Sequence, residues 1–355
     1  MTSASLIIPT RGGAARLPVL FDALRHQSHT DWEAIVVVDG DIDGSADAVA
    51  RYADLPVRVV AFPENRGRVT ALNTGFAAAD GDVLIRCDDD FEPSVGHVAA
   101  HVAAHETREC GAIGLPLNVA AENAYMRVYG RDADERGRRD AYSTRPDERW
   151  KLWGGNTSVR RETFAELGGF DSRYRGYGWE DVDFGYRLHR LGLPIELLPD
   201  AEVRHHMASV DTATRVDRAY RSGLARHTFD GFHGPAASGR APSAFDSPWN
   251  AAVNATAHLV SQHRANLLAR SIDRALPILP ASIGRKAVAL AVEASATAGY
   301  RSHSRGRGHV CVVPQSSVDR SPAPVHKRRV DCRVQSQPSL QASRTLCRDH
   351  LRLPA

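Results

Sequence analysis

The chain has 355 residues, 43% of them hydrophobic and 25% charged, and a formal net charge of +3. Such a length suits one large α/β domain or two smaller ones, and the composition is that of a soluble globular protein, not a collagenous or disulfide-built one. So small a charge argues against nucleic-acid binding by the chain as a whole. Only residues 301–355 stand apart, with 11 Lys/Arg against 3 Asp/Glu.

The N-terminus, MTSASLIIPT, runs straight into an apolar segment with no basic leader before it. No run of about 18 apolar residues follows anywhere, so the expected location is cytoplasmic, or peripheral at the inner membrane surface. SLIIP (5–9) reads as a buried strand and LPVLFDALRHQ (17–27) as an amphipathic helix. EAIVVVD (33–39), VRVVAF (57–62) and DVLIRC (82–87) read as further strands, with helices at SADAVARYA (45–53) and VTALNTGFAAA (69–79) between them. Strand–helix alternation with continuously apolar strands predicts a parallel sheet covered on both faces.

The section 106–210 mixes strands with polar loops. RDADERGRRD (131–140) reads as a mobile charged loop, and PIELLPDAEVRHH (194–206) as one closing strand. A helical region is expected over 211–300, broken by GPAASGRAPS. Residues 301–355, rich in Arg, Ser, Pro and Gln, read as a basic disordered tail. Of the five cysteines, Cys87 and Cys110 fall in the folded part and three in the tail. Their spacing makes neither a disulfide framework nor a CxxC site.

Ligands of open parallel sheets bind beyond the carboxyl ends of the strands. Pro9, Thr10, Arg11, Asp39 and the run Asp88-Asp89-Asp90 all lie at such ends. Three adjacent carboxylates repel one another, and a divalent cation with oxygen preference would relieve the repulsion; a solvated acidic turn is the bland rival. Asp39, Asp41, Asp43 and Gly44 imitate the start of a calcium loop, but its twelfth position is Ala50, not Glu, and a strand precedes it. PTRGGAARL (9–17) faintly suggests the glycine-rich loop of sugar-phosphate nucleotidyltransferases, which supplies the alternative function.

SLIIPTRG, VVVDGDIDGS and ENRGRVTALNTGFAAADGDVLIRCDDDFEP, in that order, resemble the nucleotide-binding half of a family 2 glycosyltransferase with the GT-A fold. GGNTSVRRETFAELGGFD, GYGWEDVDFGYRL and AEVRHH resemble a galactosyltransferase-like acceptor half. The resemblance covers about residues 4–208. It implies a nucleotide-sugar-binding half over 1–105, an acceptor-binding and catalytic half over 106–210, and an inverting, metal-dependent sugar transfer to an acceptor hydroxyl. The donor expected is a nucleotide-diphosphate sugar, UDP-linked in the first instance. The acceptor would be a glycan, a lipid-linked sugar or a small molecule, with no nucleic acid involved. A non-catalytic GT-A-like binding protein is the opposed reading.

By the same resemblance, Pro9, Thr10, Arg11 and Asp39 would bind the nucleoside and Arg68 would face the diphosphate. Asp88, Asp89, Gly155 and Asn156 would complete the donor site, with Gly154 in the same close backbone approach. Asp88 and Asp90 form a D-x-D pair for Mn²⁺ or Mg²⁺, with His205 or His206 as third metal ligand. Asp181 would be the catalytic base. Glu180, Tyr177 and Trp179 would hold the acceptor. For Glu180 and Asp181 the rival role is capping a helix start.

Overall fold

The computed structural model describes residues 2–206, 210–239 and 243–305. The basic tail read from the sequence begins within this range, but nearly all of it lies outside the described residues. The first half runs β1 (Ala4–Thr10), α1 (Leu17–Leu24), β2 (Trp32–Asp39), α2 (Ser45–Ala50), β3 (Val57–Phe62), α3 (Arg68–Ala78) and β4 (Val83–Cys87). Next come β5 (Phe91–Pro93), α4 (His97–Glu106), β6 (Gly111–Ile113), β7 (Pro116–Val119), α5 (Arg131–Tyr142) and β8 (Asn156–Arg160). Then follow α6 (Arg161–Leu167), α7 (Glu180–Arg190), β9 (Ile195–Leu197) and β10 (Val203–His206). Helices α8 (Thr212–His233), α9 (Pro235–Ser238), α10 (Pro248–Leu259), α11 (Gln262–Ala275) and α12 (Ala281–Arg305) complete the described chain.

Seven strands form the main sheet in the order β3-β2-β1-β4-β8-β6-β9. The first four are parallel, while β8 runs antiparallel to both β4 and β6. Alternation along β1 sends Ile7 into one apolar layer, with Leu72, Phe76 and Phe184, and Leu6 and Ile8 into the other, with Leu20 and Phe21. Burial of both faces explains why β1, β2 and β4 read as nearly continuous apolar runs, whereas the edge strand β3 leaves Val59 exposed. The chain goes outward from β1 through β2 to β3 and then returns to β4 on the other side of β1. That reversal opens a crevice at the carboxyl ends of β1 and β4, the place where such sheets bind ligands.

Two sequence expectations change. Residues 131–140 are not a loop: they lie in α5, whose Asp132 and Asp134 sit in its first turn and Arg139 in its last, matching the helix dipole. Only Ala141 is buried, so the helix has too narrow an apolar stripe to show a period. The closing strand over 194–206 is two strands. Pro199 opens a short 3-10 turn that ends β9 in the main sheet and releases β10 into a second sheet of order β5-β10-β7.

Candidate active site

Aspartates 88, 89 and 90 leave β4 in three directions, and each meets different partners. Asp89, 8% exposed, accepts from the Thr10 hydroxyl at 2.5 Å and from the guanidinium fork of Arg16 at 2.7 and 3.2 Å. It ties the ends of β1 and β4 together. Burial raises its pKa, against the Arg16 and Thr10 hydrogen bonds. The donor-binding role expected of Asp89 therefore gives way to a structural one, and Thr10 turns its hydroxyl to this bond.

Asp88 faces two cations. Arg68, the first residue of α3, donates to Oδ2 at 2.7 Å, and Arg86 donates from Nε to Oδ1 at 3.1 Å. Burial alone would raise the Asp88 pKa; Arg68 and then Arg86 outweigh it and hold the carboxyl well below the usual range. A side chain at position 155 would collide with this arrangement, because a Cβ there would lie 2.5 Å from Asp88 Oδ2. Gly155 also accepts the Asp88 backbone N–H at 3.2 Å. The backbone of Gly155 thus lies close against the Asp88 carboxylate. Gly154 precedes it, with no such crowding.

Arg86 is the residue that sequence reasoning missed. Its guanidinium is fully buried and joins Asp88, on the donor side, to Asp181 on α7 in a close ion pair. A charged residue inside the apolar run VLIRC was the available signal, since a buried guanidinium requires carboxylate partners. Asp181 is accordingly not a helix cap: Trp179 holds that position, without a side-chain cap bond. Glu180 is 1% exposed, and neither carboxylate oxygen has a hydrogen-bond partner among the described residues; Arg68 Nε lies 3.7 Å away. Burial, then the neighbouring Asp181, pushes the Glu180 pKa up.

Trp179 is the only non-glycine residue with positive φ, 68°, among the described residues. Such a backbone costs about 1–3 kcal/mol and persists where its surroundings over-determine it. Here the indole N–H donates to Ser222 at 3.1 Å and the ring packs on Phe229. This anchoring makes core packing, not a free aromatic face, the main work of Trp179. Tyr177 remains 38% exposed, with Arg218 over its ring. Asp183, two residues beyond Asp181, is buried against Tyr174, Arg187 and His233 and has no free face.

Asp39 accepts the backbone N–H groups of Arg66 at 2.6 Å and Gly67 at 3.0 Å, fixing the turn that launches Arg68. One lone pair on each oxygen remains for a nucleoside. Arg11 donates to the backbone oxygens of Asp39 and Gly40, and Pro9 is half-buried at the end of β1. The amide of Asn156 points inward, donating to Ala201 and facing His101, so its expected donor contact is limited to backbone.

The small sheet assembles a separate pair. His205 lies opposite Phe91 of β5 and Asn118 of β7. Its Nε2 is 3.2 Å from Asp90 Oδ2, while His206 turns to Glu92. Of the two histidines, His205 is the one beside Asp90. Asn118 decides the ring's hydrogen. Its amide NH₂ donates to Asp134, which can only accept, so its oxygen faces His205 Nδ1 at 2.6 Å. Nδ1 therefore carries the hydrogen, and a neutral ring presents the Nε2 lone pair to a carboxylate. Two acceptors at this distance repel unless a proton or a cation lies between them. A carboxylate and an oriented imidazole suit Mn²⁺, and suit Mg²⁺ less well, when phosphate oxygens complete the shell. Asp88 does not join them: among the described residues no three His, Cys, Asp or Glu side chains are placed to share a metal. The two arginines hold it instead.

Residues 5–168 match the model of Glycosyl transferase family 2, and residues 139–209 match that of the N-terminal domain of galactosyltransferase. The two matches together take in residues 5–209 of the chain. The chain is 27% identical over 249 residues to the uncharacterized glycosyltransferase YfnE of Bacillus subtilis, covering 56% of this chain and 63% of YfnE. It is 29% identical over 221 residues to validoxylamine A glucosyltransferase of Streptomyces hygroscopicus subsp. jinggangensis, covering 54% and 52%. With N-acetylglucosaminyl-diphospho-decaprenol L-rhamnosyltransferase of Mycobacterium tuberculosis it shares 31% over 202 residues, covering 48% and 65%. The chain thus spans between half and two thirds of these relatives. The structure of the mannosyltransferase PcManGT from Pyrobaculum calidifontis, in complex with GDP-Man and Mn²⁺, has a TM-score of 0.54 at 22% identity. It covers 84% of this chain and 88% of its own, and shows the shared GT-A fold.

Proposed function

We propose that the chain is an inverting, metal-dependent glycosyltransferase that moves a sugar from a nucleotide-diphosphate sugar, UDP-linked in the first instance, to an acceptor hydroxyl. The observation that carries this reading is the line of alternating charge Arg68–Asp88–Arg86–Asp181. It runs from the diphosphate side of the crevice to the expected base. Its named relatives transfer sugars, and PcManGT was solved with a nucleotide sugar and Mn²⁺.

Each part has a task in that reaction. Asp39 and Arg11 would flank the nucleoside at the ends of β1 and β2. Arg68 would exchange part of its contact with Asp88 for the arriving diphosphate. Asp181 would take the proton of the acceptor hydroxyl as that oxygen attacks the sugar carbon. Arg86 orients the Asp181 carboxylate through their ion pair. Glu180, with no hydrogen-bond partner of its own, would receive acceptor hydroxyls. Asp90 and His205 would hold the divalent ion, which when bound offsets the charge of the leaving diphosphate.

Nucleotide-sugar binding should therefore need Mn²⁺ or Mg²⁺, and Asp90→Ala should abolish that dependence. Among the described residues the Asp90 carboxylate pairs only with His205, so the variant should melt within a few degrees of the parent protein. Titrating UDP-, GDP- and dTDP-sugars by calorimetry, with Mn²⁺ or with EDTA, checks both points and identifies the donor. Equal affinity under the two conditions would remove the metal from the reading.

A further inference from the structure

A cavity of about 260 Å³ lies between β7, α5 and the first turn of α8. It shares a wall with the candidate active site: Asn118, which lines it, is the residue that orients His205. The space exists because the face of α5 turned towards it carries Ala133, Gly137 and Ala141, one turn apart, with Gly130 just before. Leu115 supplies an apolar wall.

Charge on the lining is unevenly used. Asp134 receives the amide of Asn118, and Arg138 pairs with Glu202 and lies over the Tyr142 ring. Arg215 is different: its guanidinium has no ion pair or side-chain hydrogen bond among the described residues. The acids at the start of α8 are already occupied, Asp211 by the Thr214 N–H and Asp273 by the N–H groups of Thr212 and Ala213. Tyr125, 5% exposed, also lines the space, and its hydroxyl has no hydrogen-bond partner among the described residues. Burial pushes its pKa up to about 12, against the pull of nearby Arg215, so the hydroxyl stays a donor.

We propose that this cavity is an acceptor subsite for an anionic group, a phosphate or a carboxylate carried by the acceptor, with Arg215 as counter-ion and Tyr125 as a second donor. An unpaired guanidinium beside an unused hydroxyl suits a multi-oxygen anion, for which charge-assisted hydrogen bonds are the strong ones. The small and apolar walls fit the carbon face of a sugar beside that anion. The subsite rests on the transferase reading, since only then does a second substrate have to lie beside Asp90 and His205.

The test uses the full chain with Mn²⁺ and UDP, and three probes followed by ligand-observed NMR: glucose 1-phosphate, glucuronate and methyl glucoside. At least one anionic probe should bind about tenfold or more tightly than the neutral one, and which one does so tells phosphate from carboxylate. Arg215→Ala should erase that preference and Arg215→Lys should keep most of it. Equal binding of all three probes, or an unchanged preference in Arg215→Ala, would overturn the subsite. Nucleotide–Mn²⁺ binding in the same samples reports separately on the transferase reading. If it persists while the anion preference is absent, the subsite alone falls.

Discussion

Asp181→Asn should lower turnover by roughly 10²–10⁴-fold, the usual contribution of a general base, while nucleotide-sugar affinity stays near that of the parent protein. Asparagine keeps the volume and the ability to accept a hydrogen bond, but not the basicity. A base acts only as the acceptor hydroxyl loses its proton, so its removal touches the transition state and not the donor complex. A merely structural residue at this place would show normal turnover in the folded variant. The pairing with Arg86 adds a stability effect that the sequence did not suggest. Losing one charge partner of a fully buried guanidinium should lower the melting temperature, although Asp88 still neutralises Arg86 and so limits the loss. Turnover has to be compared at a temperature where both proteins are folded. If most of the turnover survives, the base is elsewhere. Glu180 is then the next candidate, because Asp183 is enclosed by Tyr174, Arg187 and His233.

Much of the parallel half was legible because β1, β2 and β4 are buried on both faces and read as apolar runs, with the amphipathic α1 between the first two. Asp88, Asp90, Asp181 and His205 were legible as types at strand and helix ends. Their pairing was not. Arg86 stood out as a charge in an apolar run, but its pairing with Asp181, 95 residues away, and the antiparallel placing of β8 have no local signature. Likewise Asn118 selects between His205 and His206 through the register of β10 on β7, a contact across 87 residues. Helix α5 escaped notice because it is nearly all polar, so charge pattern at its ends was the only cue.

The acid stability of the fold should fail between about pH 6.5 and pH 4, through a row of histidines that the chemistry does not use. Helix α4 places His97, His101 and His105 one turn apart on a single face, all at most 1% exposed. The hydrogens of His101 and His105 are fixed by a one-way chain. The Asn156 amide donates to the Ala201 carbonyl, so its oxygen must accept from His101 Nε2 at 3.0 Å. His101 Nδ1 then accepts from the Ser158 hydroxyl at 2.8 Å, and that hydroxyl accepts from His105 Nε2 at 2.8 Å. The link from Ser158 requires a neutral His101 ring, because a second proton on it would face the hydroxyl hydrogen of Ser158. Burial lowers the pKa of His101 and His105 from 6.5 to about 4, and drives that of His97 well below its ordinary value. In the window between those values the unfolded chain binds more protons, so stability is fully present above about pH 6.5 and falls as the pH drops towards 4. A pKa lowered that far corresponds to about 3 kcal/mol per histidine, a large part of the 5–15 kcal/mol that holds a typical domain folded. Urea unfolding at pH 7.5 and pH 5 should therefore show a loss of several kcal/mol. His101→Gln, whose amide can donate to Asn156 without titrating, should flatten the slope by about 1.4 kcal/mol per pH unit inside the window. The same slope in parent and variant would assign the acid sensitivity to other groups. Because the chain ends on Asn156, beside Gly155 and Asp88, acid should also disturb the floor of the donor site before the protein unfolds.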